Sequence, residues 1–102
     1  MIAVHQTEHY ARWFATLRDR AARARIDVRI RRLSLGNAGD AKPVGGGVSE
    51  LRIDHGPGYR VYFVQRGQAV VILLAGGDKG SQSSDIRTAL ELSRIIQEKP
   101  WP

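Results

Sequence analysis

Two arginines lie on either side of a short turn between two strand-like segments. Arg52 belongs to the segment 48–53 ("VSELRI"), and Arg60 belongs to the segment 59–64 ("YRVYFV"). The turn between them contains Gly-Pro-Gly at 56–58, which favours a hairpin. A guanidinium group stays charged at any biological pH and presents paired donors to phosphate or carboxylate. Such side chains at the end of a hairpin suit an anion.

Lys79 adds a third cation, just after the last strand-like segment. Side chains in a strand alternate between two faces, so Glu50 and Arg52 share one face. Two amphipathic helices fully cover only one face of a small sheet, and we expect the other face to be free to carry charge. Arg52, Arg60 and Lys79 are then predicted to converge at one edge of that open face, in an arrangement the size of a phosphate group.

The chain carries a strong excess of positive charge. Its 102 residues include 16 Lys+Arg against 10 Asp+Glu, a net charge of +6. Thirteen of the sixteen are arginine, and eight of these lie between Arg12 and Arg32. A small basic domain of this kind suits a polyanion or a strongly acidic protein partner.

The composition disfavours several classes of protein. The chain has no cysteine, which excludes disulfides and thiolate metal sites and is compatible with a reducing cytoplasm. Its longest apolar run, 69–75, is far shorter than the roughly 20 residues of a membrane helix, and residues 1–13 lack a signal-peptide pattern. His5 and His9 lie four residues apart without a third ligand. We therefore expect a cytoplasmic protein with no membrane contact, no metal and no cofactor.

The apolar periodicity predicts a single α+β domain over residues 1–102, in the order β-α-α-β-β-β-α. A short first strand precedes a helical pattern over 8–35 that breaks near 18–20. Thr7 is the expected N-cap of the first helix and Asp19 that of the second. The two N-terminal helices are expected to pack on a small, mainly antiparallel sheet.

The second half of the chain predicts most of that sheet. Residues 36–48 are rich in glycine and predict a mobile surface loop. Three strand-like segments with connections of four and five residues predict an antiparallel meander. A last helix is expected over 84–98, and residues 99–102 are expected to form a loose tail.

Two longer segments resemble a known family. They are "RIRRLSLGNAGDAKPVGGGVSELRIDHGPGYRVYF" (29–63) and "VVILLAGGDKGSQSSDI" (70–86). With Trp13, Phe14 and Leu17 in the first helix, they make the chain resemble the RelE/ParE superfamily of bacterial toxins. The resemblance is strongest to the HigB-like, phage-related addiction-module killer branch, and it covers nearly the whole chain.

This resemblance implies the toxin of a type II toxin–antitoxin system. It would be a metal-independent, ribosome-dependent endoribonuclease that cuts mRNA by attack of a ribose 2′-OH on the adjacent phosphate, so only RNA would be cut. Arg60 matches the strand arginine of the family, Arg52 a second basic position, and Lys79 the basic residue after the last strand. In the family's chemistry these cations stabilise the charge on the phosphorane, and Lys79 also serves the departing 5′-oxygen.

The chain departs from the family pattern at the proton carrier. Several members have Tyr or His near the start of the final helix, where this chain has Asp85. The ribosome and substrate would then supply proton transfer, or another residue would. The candidates in this chain are Tyr59, Glu50 and His55.

The second predicted helix is a candidate surface for RNA or for an acidic antitoxin. Its arginines have only Asp27 as counter-charge, although a solvated outer face would look the same. The residues expected to contact RNA are Arg23, Arg25, Arg29, Arg31, Arg32 and His55.

Two other functions remain open. ParE-like members use the same fold to poison DNA gyrase without nuclease activity, and a non-catalytic module that binds nucleic acid would have the same charge. The expected partners are the ribosome, mRNA and a cognate antitoxin, often a helix-turn-helix DNA-binding protein.

Overall fold

The computed structural model describes residues 1–98, and the predicted tail lies outside this range. Three helices and a five-stranded mixed sheet confirm the α+β prediction. None of the helices in the described part is long and apolar enough to cross a membrane. The elements are β1 (Ala3–Gln6), α1 (Glu8–Thr16), α2 (Arg20–Ser34), β2 (Ala41–Gly45), β3 (Val48–Ile53), β4 (Tyr59–Arg66), β5 (Val70–Asp78) and α3 (Gln82–Glu98), with a 3-10 turn, Lys79–Ser81, before α3.

The sheet has the strand order β1-β5-β4-β3-β2. β1 runs parallel to β5, whereas the other neighbours are antiparallel, so β3, β4 and β5 form the predicted meander. In the β3–β4 register, Arg52 pairs with Arg60 and Glu50 pairs with Tyr62. These four residues therefore lie on one face of the sheet.

One strand was missed by the sequence prediction. Within the segment 36–48, which was expected to be a mobile loop, Ala41–Gly45 forms β2 and pairs with β3. The outer edge of β3 would otherwise leave backbone donors and acceptors unpaired, and β2 satisfies them. Pro43 is tolerated because an edge strand pairs on one side only. The observed order is therefore β-α-α-β-β-β-β-α.

The two N-terminal helices begin at the predicted caps. Thr7 Oγ1 accepts from the backbone N–H of Tyr10 at 3.0 Å and donates to the carbonyl of Leu74 at 2.7 Å, which ties the start of α1 to β5. Asp19 Oδ1 accepts from the backbone N–H groups of Ala21 and Ala22 at 2.9 and 3.2 Å. These caps place the break between α1 and α2 where the sequence indicated it.

Both faces of the sheet carry a core, which corrects the expectation of one fully open face. The first core packs α1 and α2 on side chains such as Leu51, Val61 and Phe63. The second core packs α3 on the opposite face, against side chains such as Val48 and Tyr62. Because α3 carries its own apolar stripe, it covers most of the face that was expected to be open. Arg52 and Arg60 lie at the end of that face beside the β3–β4 turn.

Candidate functional site

A cavity of ≈ 390 Å³ lies at the end of the β3–β4 hairpin. The structure brings all three predicted cations, Arg52, Arg60 and Lys79, to its wall, together with the turn residues 56–58. Two carboxylates, Asp40 and Asp54, also line it. The cavity therefore combines groups that bind an anion with groups that accept a proton.

A buried carboxylate holds one of the arginines. Glu50 is completely buried, and its Oε1 lies 3.2 Å from Nε of Arg52. Its Oε2 accepts from the hydroxyl of Tyr62 at 3.0 Å and from Nε2 of Gln82 at 2.8 Å. Gln82 is the first residue of α3, so the carboxylate links that helix to the hairpin.

The pKa values of this cluster follow from its contacts. Burial alone would raise the pKa of Glu50, but hydrogen bonds from Gln82, Arg52 and Tyr62, with the charge of Arg60, lower it below its ordinary value. Burial and the hydrogen bond to Glu50 raise the pKa of Tyr62 well above its ordinary value. Glu50 is thus held as a carboxylate and Tyr62 as a neutral donor.

Arg60 has unused hydrogen-bonding capacity. Within residues 1–98, its Nε is buried and has no hydrogen-bond partner. Arg60 pairs with Arg52 on one side and with Gly77 on the other. Side chains at both strand positions would crowd the site, and at Gly77 an added Cβ would lie 1.7 Å from Oδ2 of Asp85. Glycine at 77 therefore lets α3 begin close to Arg60.

Lys79 is placed by the turn that follows β5. Asp78 Oδ1 accepts from the backbone N–H of Gly80 at 2.8 Å. Ser81 Oγ accepts from the backbone N–H of Asp78 at 3.3 Å, and the turn is closed by a capping box. Lys79 is exposed at the first position of this turn. The capped turn therefore places Lys79 at the wall of the cavity.

Tyr59 and His55 do not line the cavity, although both were candidates for proton transfer. Tyr59 lies on the opposite face from Arg60, where its ring packs edge-on against Trp13 with centroids 6.4 Å apart. His55 Nε2 lies 3.1 Å from Oδ2 of Asp19, which connects the hairpin turn to the break between α1 and α2. The hydrogen bond with His55 lowers the pKa of Asp19.

The arginines of α2 are not equivalent. Arg29 donates to the backbone carbonyls of Arg52, Ala38 and Asp40, so it fixes the segment before β2 against β3. Arg23 lies 4.9 Å from the centroid of the Phe14 ring. The remaining members of the predicted RNA-contact set on this helix are exposed: Arg25, Arg31 and Arg32.

Sequence reasoning missed the two carboxylates of the cavity. Asp54 follows β3 directly, and the two-residue period from Arg52 was a signal that could have placed it on the same face. Asp40 gave no such signal, because it precedes the strand that was predicted as a loop. Its backbone carbonyl accepts from the N–H of Arg52 at 2.9 Å, which brings it to the cavity.

The fold and site define a small basic α+β domain with a cationic cavity at one end of its sheet. A family model described as "Phage derived protein Gp49-like (DUF891)" matches residues 12–97. A protein of Haemophilus influenzae, described as an uncharacterized protein, is 45% identical over 95 residues, which cover 93% of this chain and 96% of that protein. The chain belongs to the phage-derived Gp49-like family, which is associated with toxin–antitoxin systems.

Proposed function

We propose that the protein is the toxin of a type II toxin–antitoxin system and a ribosome-dependent mRNA endoribonuclease of the HigB-like branch. The observation that carries the proposal is the meeting of Arg52, Arg60 and Lys79 around one cavity of ≈ 390 Å³. Membership of the Gp49-like family and the resemblance to RelE-type toxins support the same function. The ligand is a phosphodiester of mRNA, and an antitoxin is the partner that silences the protein.

Arg60 and Arg52 hold the scissile phosphate. The guanidinium groups of Arg60 and Arg52, which both line the cavity, donate to the non-bridging oxygens, where negative charge grows as the phosphorane forms. Donors fixed before the reaction cost no reorganisation during it. Glu50 is a positioning residue in this account, because its oxygens accept from Arg52, Tyr62 and Gln82.

Proton transfer is assigned to groups on the cavity wall. Asp54 accepts the proton of the ribose 2′-OH as the 2′-oxygen forms its bond to phosphorus. The bond from phosphorus to the 5′-oxygen breaks, and Lys79 gives a proton to the departing oxygen. The products are a 2′,3′-cyclic phosphate and a 5′-hydroxyl end. Glu50, which is fully buried, and Tyr59, which packs on the other face, are not assigned to this step.

The test is a brief induction of the protein in a bacterium, with new mRNA 5′ ends mapped beside those of Arg60→Ala. The proposal predicts growth arrest and new ends that require translation and disappear in Arg60→Ala. Arrest with trapped DNA breaks and no new mRNA ends would instead indicate a gyrase poison. Neither arrest nor new ends would leave a binding module and would contradict the proposal.

A further inference from the structure

A second cavity, of ≈ 350 Å³, lies between α2 and the end of β3. Its apolar floor is unusual for so basic a region. Val28, on the exposed side of α2, is 48% exposed. The residues that line this groove include three arginines and three apolar residues: Arg25, Arg29, Arg32, Ala24, Val28 and Ile53.

The charges around the groove favour an acidic occupant. Among the lining residues, Asp54 is the one acidic side chain beside three arginines. Arg29 is already engaged by three carbonyl oxygens, so Arg25 and Arg32 are the cations that remain for a ligand. Carboxylates and phosphates both satisfy guanidinium groups.

The apolar floor distinguishes between these two kinds of ligand. A phosphodiester backbone gains little from covering Val28 and Ala24, whereas a protein segment with apolar side chains gains binding free energy by removing their apolar surface from water. An amphipathic helix that lays its apolar face in a groove and places acidic residues along the edges uses both features. We propose that this groove docks an acidic amphipathic segment of an inhibitory protein partner.

The groove adjoins the cavity assigned to RNA. Ile53 and Asp54 line both, and Arg29 holds the carbonyls of Arg52 and Asp40 between them. A segment seated in the groove would therefore lie beside the RNA-binding cavity and restrict access to it. The identity of the occupant as an antitoxin rests on the proposed function, but the docking chemistry does not.

The test uses phage-displayed random peptides about 16 residues long, enough for four helical turns, selected on the full-length protein. We expect enriched peptides with acidic residues and apolar residues at helical spacing. Their affinity should fall at least about tenfold on Val28→Asp and on Arg25→Glu, as expected when an interface loses a central contact. Val4→Asp and Arg87→Glu are matched controls, because they change an exposed valine of β1 and an exposed arginine of α3. Both should bind the peptides as the unchanged protein does.

A parallel titration separates this inference from the proposed function. It uses a 2′-O-methyl oligoribonucleotide, which lacks the attacking hydroxyl and stays intact. Loss of oligonucleotide binding in Val28→Asp and Arg25→Glu would make the groove an RNA surface and overturn the inference. The inference would also be overturned if no peptides were enriched, or if the enriched peptides bound Val28→Asp with unchanged affinity. Oligonucleotide binding that is insensitive to Arg60→Ala would count against the proposed function alone.

Discussion

Arg52 and Arg60 face each other directly across the β3–β4 pair, so two guanidinium groups occupy adjacent positions on one face. Like charges opposite each other destabilise a sheet. Glu50 offsets part of this repulsion through its bond to Arg52, but Nε of Arg60 is left without a hydrogen-bond partner within the described residues. A phosphate bound in the cavity that both arginines line would offset their charges.

Ligand binding should therefore stabilise the protein through Arg60. A 2′-O-methyl oligoribonucleotide at about ten times its Kd should add about 1.4 kcal/mol and raise the unfolding midpoint by about 6 °C. The measurement is thermal unfolding followed by circular dichroism. Arg87→Ala, on the exposed side of α3, should keep the shift, whereas Arg60→Ala should lose it. An equal shift in both variants would place the binding site elsewhere.

The carboxylate of Glu50 should make stability depend on pH. Its pKa is lowered in the folded protein, so the stabilisation is present above the unfolded value of about 4.3 and is lost as pH falls through the folded value. Glu50→Gln should cost about 2–4 kcal/mol at pH 7, because a charged acceptor of three hydrogen bonds is removed. It should also flatten the acid limb of the stability curve. Urea denaturation between about pH 3 and 7 measures both.

The control for that experiment is Glu98→Gln, since the side chain of Glu98 is 65% exposed. This variant should follow the unchanged protein at every pH. Parallel acid limbs in the unchanged protein and in Glu50→Gln would show that the buried cluster does not depend on the charge of Glu50.

Asp54→Asn should separate binding from cleavage. Removing a negative charge from the cavity should tighten binding of the oligoribonucleotide, whereas loss of the proton acceptor should slow cleavage by about 10²-fold or more. Affinity is measured on the 2′-O-methyl oligonucleotide and rate on programmed ribosomes. Asp40→Asn changes the other cavity carboxylate and should tighten binding without the same loss of rate. Unchanged cleavage in Asp54→Asn would remove it from the mechanism.

Trp13 of α1 packs directly against Gly76 of β5. A Cβ at this position would come 2.2 Å from the ring of Trp13. Gly76→Ala should therefore cost about 2 kcal/mol or more in chemical denaturation. In a Trp13→Leu background the same change should cost much less, because the ring that clashes is gone. Additive effects of the two changes would contradict the packing assigned here.

The features that could be predicted from the sequence are those that depend on residues close together in the chain. Residue types and the two-residue strand period sufficed to bring Arg52, Arg60 and Lys79 together. The strand at 41–45 was not predictable from the glycine-rich segment 36–48 that contains it, because it forms only when the edge of β3 is there to pair with it. The hydrogen-bond partners of Glu50 could not be predicted either, because one of them, Gln82, lies 32 residues away in the chain.

The groove between α2 and β3 could not be predicted from the sequence for a related reason. The helical pattern of α2 showed a basic face, but Val28 becomes part of a groove only when Ile53 and Asp54 are placed beside it by the sheet. Likewise, the division between Arg29, which is tied to backbone carbonyls, and Arg25, which is exposed, depends on contacts that the spacing of arginines does not encode.

Cleavage of a defined mRNA on purified programmed ribosomes, with the ends of the products identified chemically, tests directly whether the protein is a ribosome-dependent nuclease. We expect a 2′,3′-cyclic phosphate and a 5′-hydroxyl, no cutting of the same mRNA without ribosomes, and a rate that falls by about 10²–10³-fold in Arg60→Ala. Arg87→Ala should cut as the unchanged protein does. Cleavage by Arg60→Ala at the unchanged rate would remove Arg60 from the site, and no cleavage by the unchanged protein would show that it is not a ribosome-dependent nuclease.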